Sequence, residues 1–189
     1  MRKIVATEYV TLDGTFGDPG GQSKEEYTGW SMPFWSEDVG KYKFDEILEH
    51  DALLLGRITY EGFAAAWPTM EGTGGFGEKM NGMPKYVVSN TLQKADWNNT
   101  KIISGEIAEQ IRKLKEQPGK NILVAGSGQL LKFLLENDLA DEIRMLLHPV
   151  VLGGGKKLFA KAVAQKFQLD NVKTFKTGIS LLTYTVNKK

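Results

Sequence analysis

Short stretches of this 189-residue chain carry residue types that can hold an anionic ligand, and each follows an apolar run. The first is Gly126-Ser127-Gly128. It comes after Ile122-Leu123-Val124-Ala125 and before Gln129 and the leucine-rich set Leu130, Leu131, Leu134 and Leu135. An apolar run ending in glycine suits a buried parallel strand, and leucines at i, i+1, i+4 and i+5 suit a helix packed on it. The join is then a helix start stripped of side chains, whose unpaired N–H groups and positive dipole end favour a phosphate. The second stretch, Gly56-Arg57-Ile58-Thr59, adds a guanidinium and a hydroxyl near another helix start, and both groups can hold phosphate. The third, Ser89-Asn90, places small polar groups where a strand ends, suited to a ribose or a phosphate. Alone, the first reads equally well as an ordinary strand-to-helix turn, the second more readily as a surface arginine with a capping threonine, and the third more readily as a plain turn. Their shared placement carries more weight, because open α/β sheets bind ligands beyond the carboxyl ends of their strands.

Other candidates are more open. Asp13, in Thr11-Leu12-Asp13-Gly14, is the best candidate for an active-site acid, or else an Asx residue closing a turn. Trp30, Phe34 and Trp35 sit on a long glycine-rich loop over residues 14–35, where they either close over a planar ligand or pin the loop to the core. Gly153-Gly154-Gly155 lets a backbone or a ligand approach closely. Ala6 is a small residue in the first strand, where a flat ring can reach the backbone or a tight core can form. His50 and His148 read as structural.

The elements that would position these residues follow from periodicity. Strands are expected over 3–10, 52–55, 85–89, 101–103, 122–125 and 142–152, the last interrupted by Pro149, which suggests an edge or a bulge. Helices are expected over 36–49, capped by Ser36 with Phe44, Ile47 and Leu48 inward, and from Tyr60 to the stop at Pro68. A further helix carries Ile107, Ile111 and Leu114, and the last follows Gly128. Residues 68–83 read as a second glycine-rich loop. Strands over 167–175 and 179–186 should form an antiparallel hairpin at the sheet edge, turning at Thr177-Gly178. Alternating strands and helices give an α/β protein with a mostly parallel sheet and helices on both faces.

Composition narrows the class. The chain is long enough for one domain with a sizeable core. Its hydrophobic fraction of 41% and charged fraction of 25% are ordinary for a globular protein, and its net charge of +1 points to neither nucleic acid nor an acidic membrane. There is no cysteine, which removes thiolate nucleophiles and cysteine metal sites and fits a cytoplasmic protein. No apolar run approaches the ~18 residues of a membrane span.

The order of motifs resembles the dihydrofolate reductase-like superfamily. Within it the chain is most similar to the reductase domain of the bacterial riboflavin-biosynthesis deaminase-reductase and its stand-alone relatives. The residues that carry the resemblance are Thr11–Gly14, Leu55-Gly56-Arg57-Ile58-Thr59-Tyr60-Glu61, Tyr86–Ser89, Val124–Gly128 and His148-Pro149-Val150-Val151-Leu152-Gly153-Gly154-Gly155, spanning nearly the whole chain in family order. The resemblance implies a single three-layer domain with NADPH as cofactor, no metal, a small-molecule substrate and a homodimer. It also implies hydride transfer to a carbonyl or imine carbon, of the 5-amino-6-(5-phosphoribosylamino)uracil reductase type. A pterin reductase or a non-catalytic dinucleotide binder are the alternatives. Ala6 would meet the nicotinamide carboxamide through its backbone. Gly56, Arg57 and Thr59 would hold phosphates, with Arg57 at the 2′-phosphate. Ser89 and Asn90 would lie by the adenosine ribose, and Gly126, Ser127, Gly128, Gln129 and Leu130 would wrap the pyrophosphate. Trp30, Phe34 and Gly153 would face the substrate. Folate reductases carry a carboxylate and an arginine at positions that here fall near Gly40, with Asp38 close by, and at Met83.

Overall fold

The computed structural model describes residues 1–21, 26–160 and 164–188, so part of the expected 14–35 loop lies outside the described residues. Among the described residues the chain runs β1 (Ile4–Thr11), α1 (Glu37–Leu48), β2 (His50–Gly56), α2 (Arg57–Ala66), α3 (Phe76–Gly82), β3 (Lys85–Val88) and β4 (Thr100–Ile103). It continues α4 (Ile107–Glu116), β5 (Asn121–Ala125), α5 (Gly128–Glu136), β6 (Glu142–His148), β7 (Phe167–Thr174) and β8 (Ser180–Val186). The strands form one sheet in the order β4-β3-β2-β5-β1-β6-β8-β7. Every pair from β4 to β6 is parallel, while β8 runs antiparallel to β6 and β7. This is the dihydrofolate reductase-like architecture the motif order implied.

Side-chain alternation sorts the helices into two layers. Ile4, Ala6 and Val10 of β1 join Leu54, Ile122 and Val124 against Ile111 and Leu114 of α4 and the four leucines of α5. Each of those leucines is buried and contributes roughly 1.5–3 kcal/mol. Leu53, Leu55 and Leu123 point the other way, against Ile47 of α1, Tyr60 of α2 and Met80 of α3. A third cluster joins Val39 of α1 to Leu146 and Leu181 under the antiparallel end of the sheet. No helix among the described residues is long and apolar enough to cross a membrane.

The structure corrects several expectations. Residues 68–83 are not all loop, for they contain α3, whose Gly77 N–H donates to the Thr73 hydroxyl at 3.0 Å. Seven residues with two glycines are too short for a helical period to show. In α1 the buried apolar face includes Val39, whereas Leu48 at the last turn is 43% exposed. Ser36 precedes α1, but its hydroxyl bonds the Asp38 carboxylate at 2.5 Å rather than capping a backbone N–H. β6 ends at His148, and it lies inside the sheet between β1 and β8. Pro149 therefore stops an interior strand, having no N–H to continue the ladder, instead of marking an edge.

Candidate functional site

Sheet order places β3, β2, β5 and β1 side by side, so their carboxyl ends form one continuous rim. Ser89, the Gly56–Thr59 junction, the Gly126–Gly128 junction and the far end of β1 all lie on it. The register adds a notch. The last β1–β5 pair is Thr7 with Ala125, while β1 runs on beside β6 as far as Thr11 opposite His148. Past Thr7, β1 has no strand paired on its β5 side among the described residues.

The two glycine junctions pack on each other. A Cβ on Gly56 would overlap the Ser127 side chain, and one on Gly126 would lie 3.4 Å from the Thr59 hydroxyl. Gly126 and Ser127 both hold left-handed backbone, at φ 60° and 69°. For serine that conformation costs about 1 kcal/mol or more, and the packing against Gly56 holds it in place. Neither α2 nor α5 has a side-chain cap or an acidic residue in its first turn, whereas α1, α3 and α4 each carry an acid there. Two uncapped, acid-free helix starts at adjacent strand ends leave N–H groups and positive dipole ends suited to the phosphates of one anionic ligand. Arg57 opens α2, where the helix dipole disfavours a cation. Its guanidinium bonds both Glu61 oxygens, at 2.9 and 3.0 Å, in a half-exposed pair. Such i,i+4 pairs contribute only ~0.3–0.5 kcal/mol, so an incoming phosphate can displace Glu61.

Other predicted residues are occupied by the fold itself. The Ser89 hydroxyl accepts the Thr91 and Leu92 N–H groups at 3.1 and 2.9 Å, and the Asn90 side chain accepts the Gly105 N–H at 3.1 Å. Both side chains secure turns on the rim. Ala6 lies in the buried sheet centre, paired with Val124 and Ile143 and bordered by strands on both sides. Gln129 and Leu130 belong to the first turn of α5, with Leu130 in the core. Trp30 and Phe34 meet the His148 ring edge-on at 5.1 and 5.7 Å, and the Trp30 indole N–H donates to the Gly17 carbonyl at 2.9 Å. The aromatics therefore pin the loop to the end of β6. His148 is buried, and burial holds its pKa below the usual histidine value.

Asp13 is corrected as a catalytic acid. Its carboxylate accepts from Lys157 Nζ at 2.7 Å, from the Thr11 hydroxyl at 2.6 Å and from the Gly153 N–H at 3.0 Å. The bonds from Lys157 and Thr11 hold its pKa well below the carboxylate range, so it has no proton to give. It clasps the 11–16 segment to the 150–158 segment instead, beside the Thr15–Lys157 bridge. The glycine cluster serves the same clasp: a Cβ on Gly154 would overlap the Tyr27 ring, and one on Gly155 would lie 2.7 Å from the Thr15 methyl. Gly153 thus contributes its N–H to Asp13. Asp13→Asn is expected to lower the melting temperature at neutral pH. Because the folded-state pKa is depressed, this stabilisation is complete above the ordinary carboxylate pKa near ~4 and is lost as pH falls below it. Melts of both proteins from neutral to strongly acidic pH should show the gap closing, and a gap constant with pH would contradict the assignment.

Several functional candidates were not singled out in the sequence. Phe16 lies against Gly128 and packs on the main core cluster. On the opposite face, Lys43 of α1 reaches the Thr7 hydroxyl at 3.2 Å, lies 5.5 Å from the Tyr9 ring centre and pairs with the buried Glu46. A carboxylate within the β-branched run of β1, Glu8, was visible but passed over. Gly40, near the folate-reductase carboxylate position, lies under the Trp35 ring, with an added Cβ only 3.1 Å from it. Met83 is buried in the core.

Comparison with known proteins agrees with this architecture. The model of the RibD C-terminal domain family matches residues 2–181. The uncharacterized protein YyaP of Bacillus subtilis (strain 168) is 32% identical over 193 residues, covering 99% of this chain and 96% of the relative. A solved protein of Shewanella sp. PV-4 assigned to riboflavin biosynthesis superposes with a TM-score of 0.78 at 21% identity, over 98% of this chain and 99% of that one. Dihydrofolate reductase from Enterococcus faecalis, solved with NADP(H) and RAB-propyl, superposes at 0.59 and 16% identity, over 98% and 97%.

Proposed function

Because the chain belongs to the RibD C-terminal domain family, we propose that it is an NADPH-dependent reductase of a small carbonyl or imine substrate, of the 5-amino-6-(5-phosphoribosylamino)uracil reductase type. The observation that carries this reading is the pair of uncapped, acid-free helix starts meeting at adjacent strand ends, with Gly56 and Ser127 in contact between them. A dinucleotide's phosphates fit that cradle, and the bound NADP(H) of the Enterococcus faecalis enzyme, which shares the fold, supports the choice of ligand.

The residues divide the work by position. The N–H groups at Gly126–Gln129 hold the pyrophosphate, and Arg57, freed from Glu61, takes the 2′-phosphate. The notch at the end of β5 receives the nicotinamide, which supplies the hydride when bound. The loop pinned through Trp30 and Phe34 keeps water from the reacting face. The protein's share is therefore orientation and exclusion of water.

Calorimetric titration should show NADPH binding more tightly than NADH. Arg57→Ala should weaken NADPH by about ten- to a hundredfold, the range expected for a charge-assisted contact, and leave NADH nearly unchanged. Equal affinity of the unmodified protein for both cofactors would sink the assignment. Loss of nicotinamide absorbance on adding pyrimidine, pterin or small carbonyl substrates then separates a reductase from a binder.

A further inference from the structure

Glu8 occupies an unusual place. It lies on β1, is 1% exposed, and its Oε1 has no hydrogen-bond partner among the described residues. Burial pushes its pKa up to about 8 against the pull of Lys43, so at neutral pH it is an uncharged carboxylic acid. A buried carboxyl with an unused oxygen weakens a fold, and no hydrogen bond in this one draws on that oxygen.

Its position is specific. Glu8 is the first β1 residue past the Thr7–Ala125 pair, where β5 has already turned into Gly126–Gly128. Its neighbours along the same strand face, Ala6 and Val10, pack in one cluster with Leu130 and Leu131, so the side chain lies on the face that α5 covers. It therefore fronts the notch beneath the proposed pyrophosphate cradle. The surroundings supply Met145 from β6 and the uncharged first turn of α5. The charge that reaches it is that of Lys43 on α1.

A protonated carboxyl presents an O–H donor and a C=O acceptor side by side. A primary carboxamide presents the complementary acceptor and N–H donor, so the two can close a ring of two hydrogen bonds. We propose that Glu8 is the residue that recognises the carboxamide of the nicotinamide ring and sets the orientation of that ring at the end of β5. Glu8 is thus a cofactor-binding residue of the proposed reductase, and the inference rests on the dinucleotide reading above.

The test titrates three ligands by calorimetry: oxidised NADP, its 3-acetylpyridine analogue, which keeps the carbonyl but lacks the N–H donor, and 2′,5′-ADP, which lacks the ring. The unmodified protein should bind the analogue more weakly than NADP. Glu8→Leu should weaken NADP by about tenfold or more, abolish the discrimination between NADP and the analogue, and leave 2′,5′-ADP unchanged. Glu8→Gln, which keeps one donor and one acceptor, should stay within a few-fold of the unmodified protein and serves as the control if the leucine variant folds poorly. Above the pH at which Glu8 ionises, NADP affinity should fall by about tenfold per pH unit in the unmodified protein and not in Glu8→Gln. If Glu8→Leu binds 2′,5′-ADP normally and still discriminates between NADP and the analogue, Glu8 does not read the carboxamide. If the unmodified protein binds neither NADP nor 2′,5′-ADP, the dinucleotide reading falls, and this inference with it.

Discussion

Replacing Glu46 with alanine should destabilise the protein by roughly 3–5 kcal/mol, among the largest effects of any single substitution in this chain. Its carboxylate is fully buried and accepts the Tyr42 hydroxyl at 2.8 Å and the Lys43 ammonium, with Arg144 at 3.6 Å. Burial opposes ionisation of Glu46, but Lys43 and Tyr42 outweigh it and hold the pKa below the usual glutamate value. Arg144 would survive the loss, because it also pairs with Glu142 at 2.7 Å and Glu49 at 2.8 Å. Lys43 would not, being nearly buried and left without a counter-charge. Denaturant titration of Glu46→Ala, Lys43→Met and the double variant provides the check. The double variant should recover much of the loss, since an apolar pair can replace a buried ion pair at little cost. A loss below about 1 kcal/mol in Glu46→Ala would mean the network is solvated and loosely held.

Gly128→Val should both weaken the fold and abolish most cofactor affinity. A Cβ on Gly128 would lie 2.8 Å from the tip of the Phe16 ring, so valine here disturbs packing as well as any ligand. Phe16 cannot easily withdraw, since its N–H donates to the Lys156 carbonyl at 3.0 Å and its ring packs on the main cluster. Overpacking of this kind typically costs about 1–3 kcal/mol. Pairing the change with Phe16→Ala separates the two roles. Recovery of the melt without recovery of NADPH binding would show that the ligand itself needs the glycine. If the double variant regains both, Gly128 exists to admit Phe16, and the phosphate cradle must be placed elsewhere.

The sequence displayed the framework of the molecule because its signals are local. The leucines of α5, the apolar runs of β2 and β5 and the alternation in β8 each fix an element within a few residues. The glycine junctions were legible for the same reason, as backbone constraints written in one residue type. What stayed hidden depends on contacts between distant segments. Asp13 could be read as an acid because Lys157 and Gly153, which hold it ionised, lie far along the chain. Gly154 and Gly155 looked like room for a ligand until Tyr27 and Thr15 were seen to fill it. The Lys43–Glu46 pair was not legible, since nothing near it in sequence shows that β1 and β6 pass beneath. Glu8 stood in plain view inside an apolar strand, and only a buried oxygen without a hydrogen-bond partner among the described residues makes it a candidate.

The position of β1 also dictates when the protein can assemble. The first strand of the chain lies between β5 and β6, strands made only from residues 121–148. As the polypeptide leaves the ribosome, residues 4–11 have no sheet to join until most of the sequence has followed them. β2, β3 and β4 can meet earlier, yet their sheet then ends at β2, at the flank that β5 will later cover. Residues 4–11 thus stay unpaired until β5 and β6 have been made, an interval in which chaperones or aggregation partners compete for them. An acidic side chain in that waiting strand, harmful to the finished core, makes the segment less adhesive while it waits.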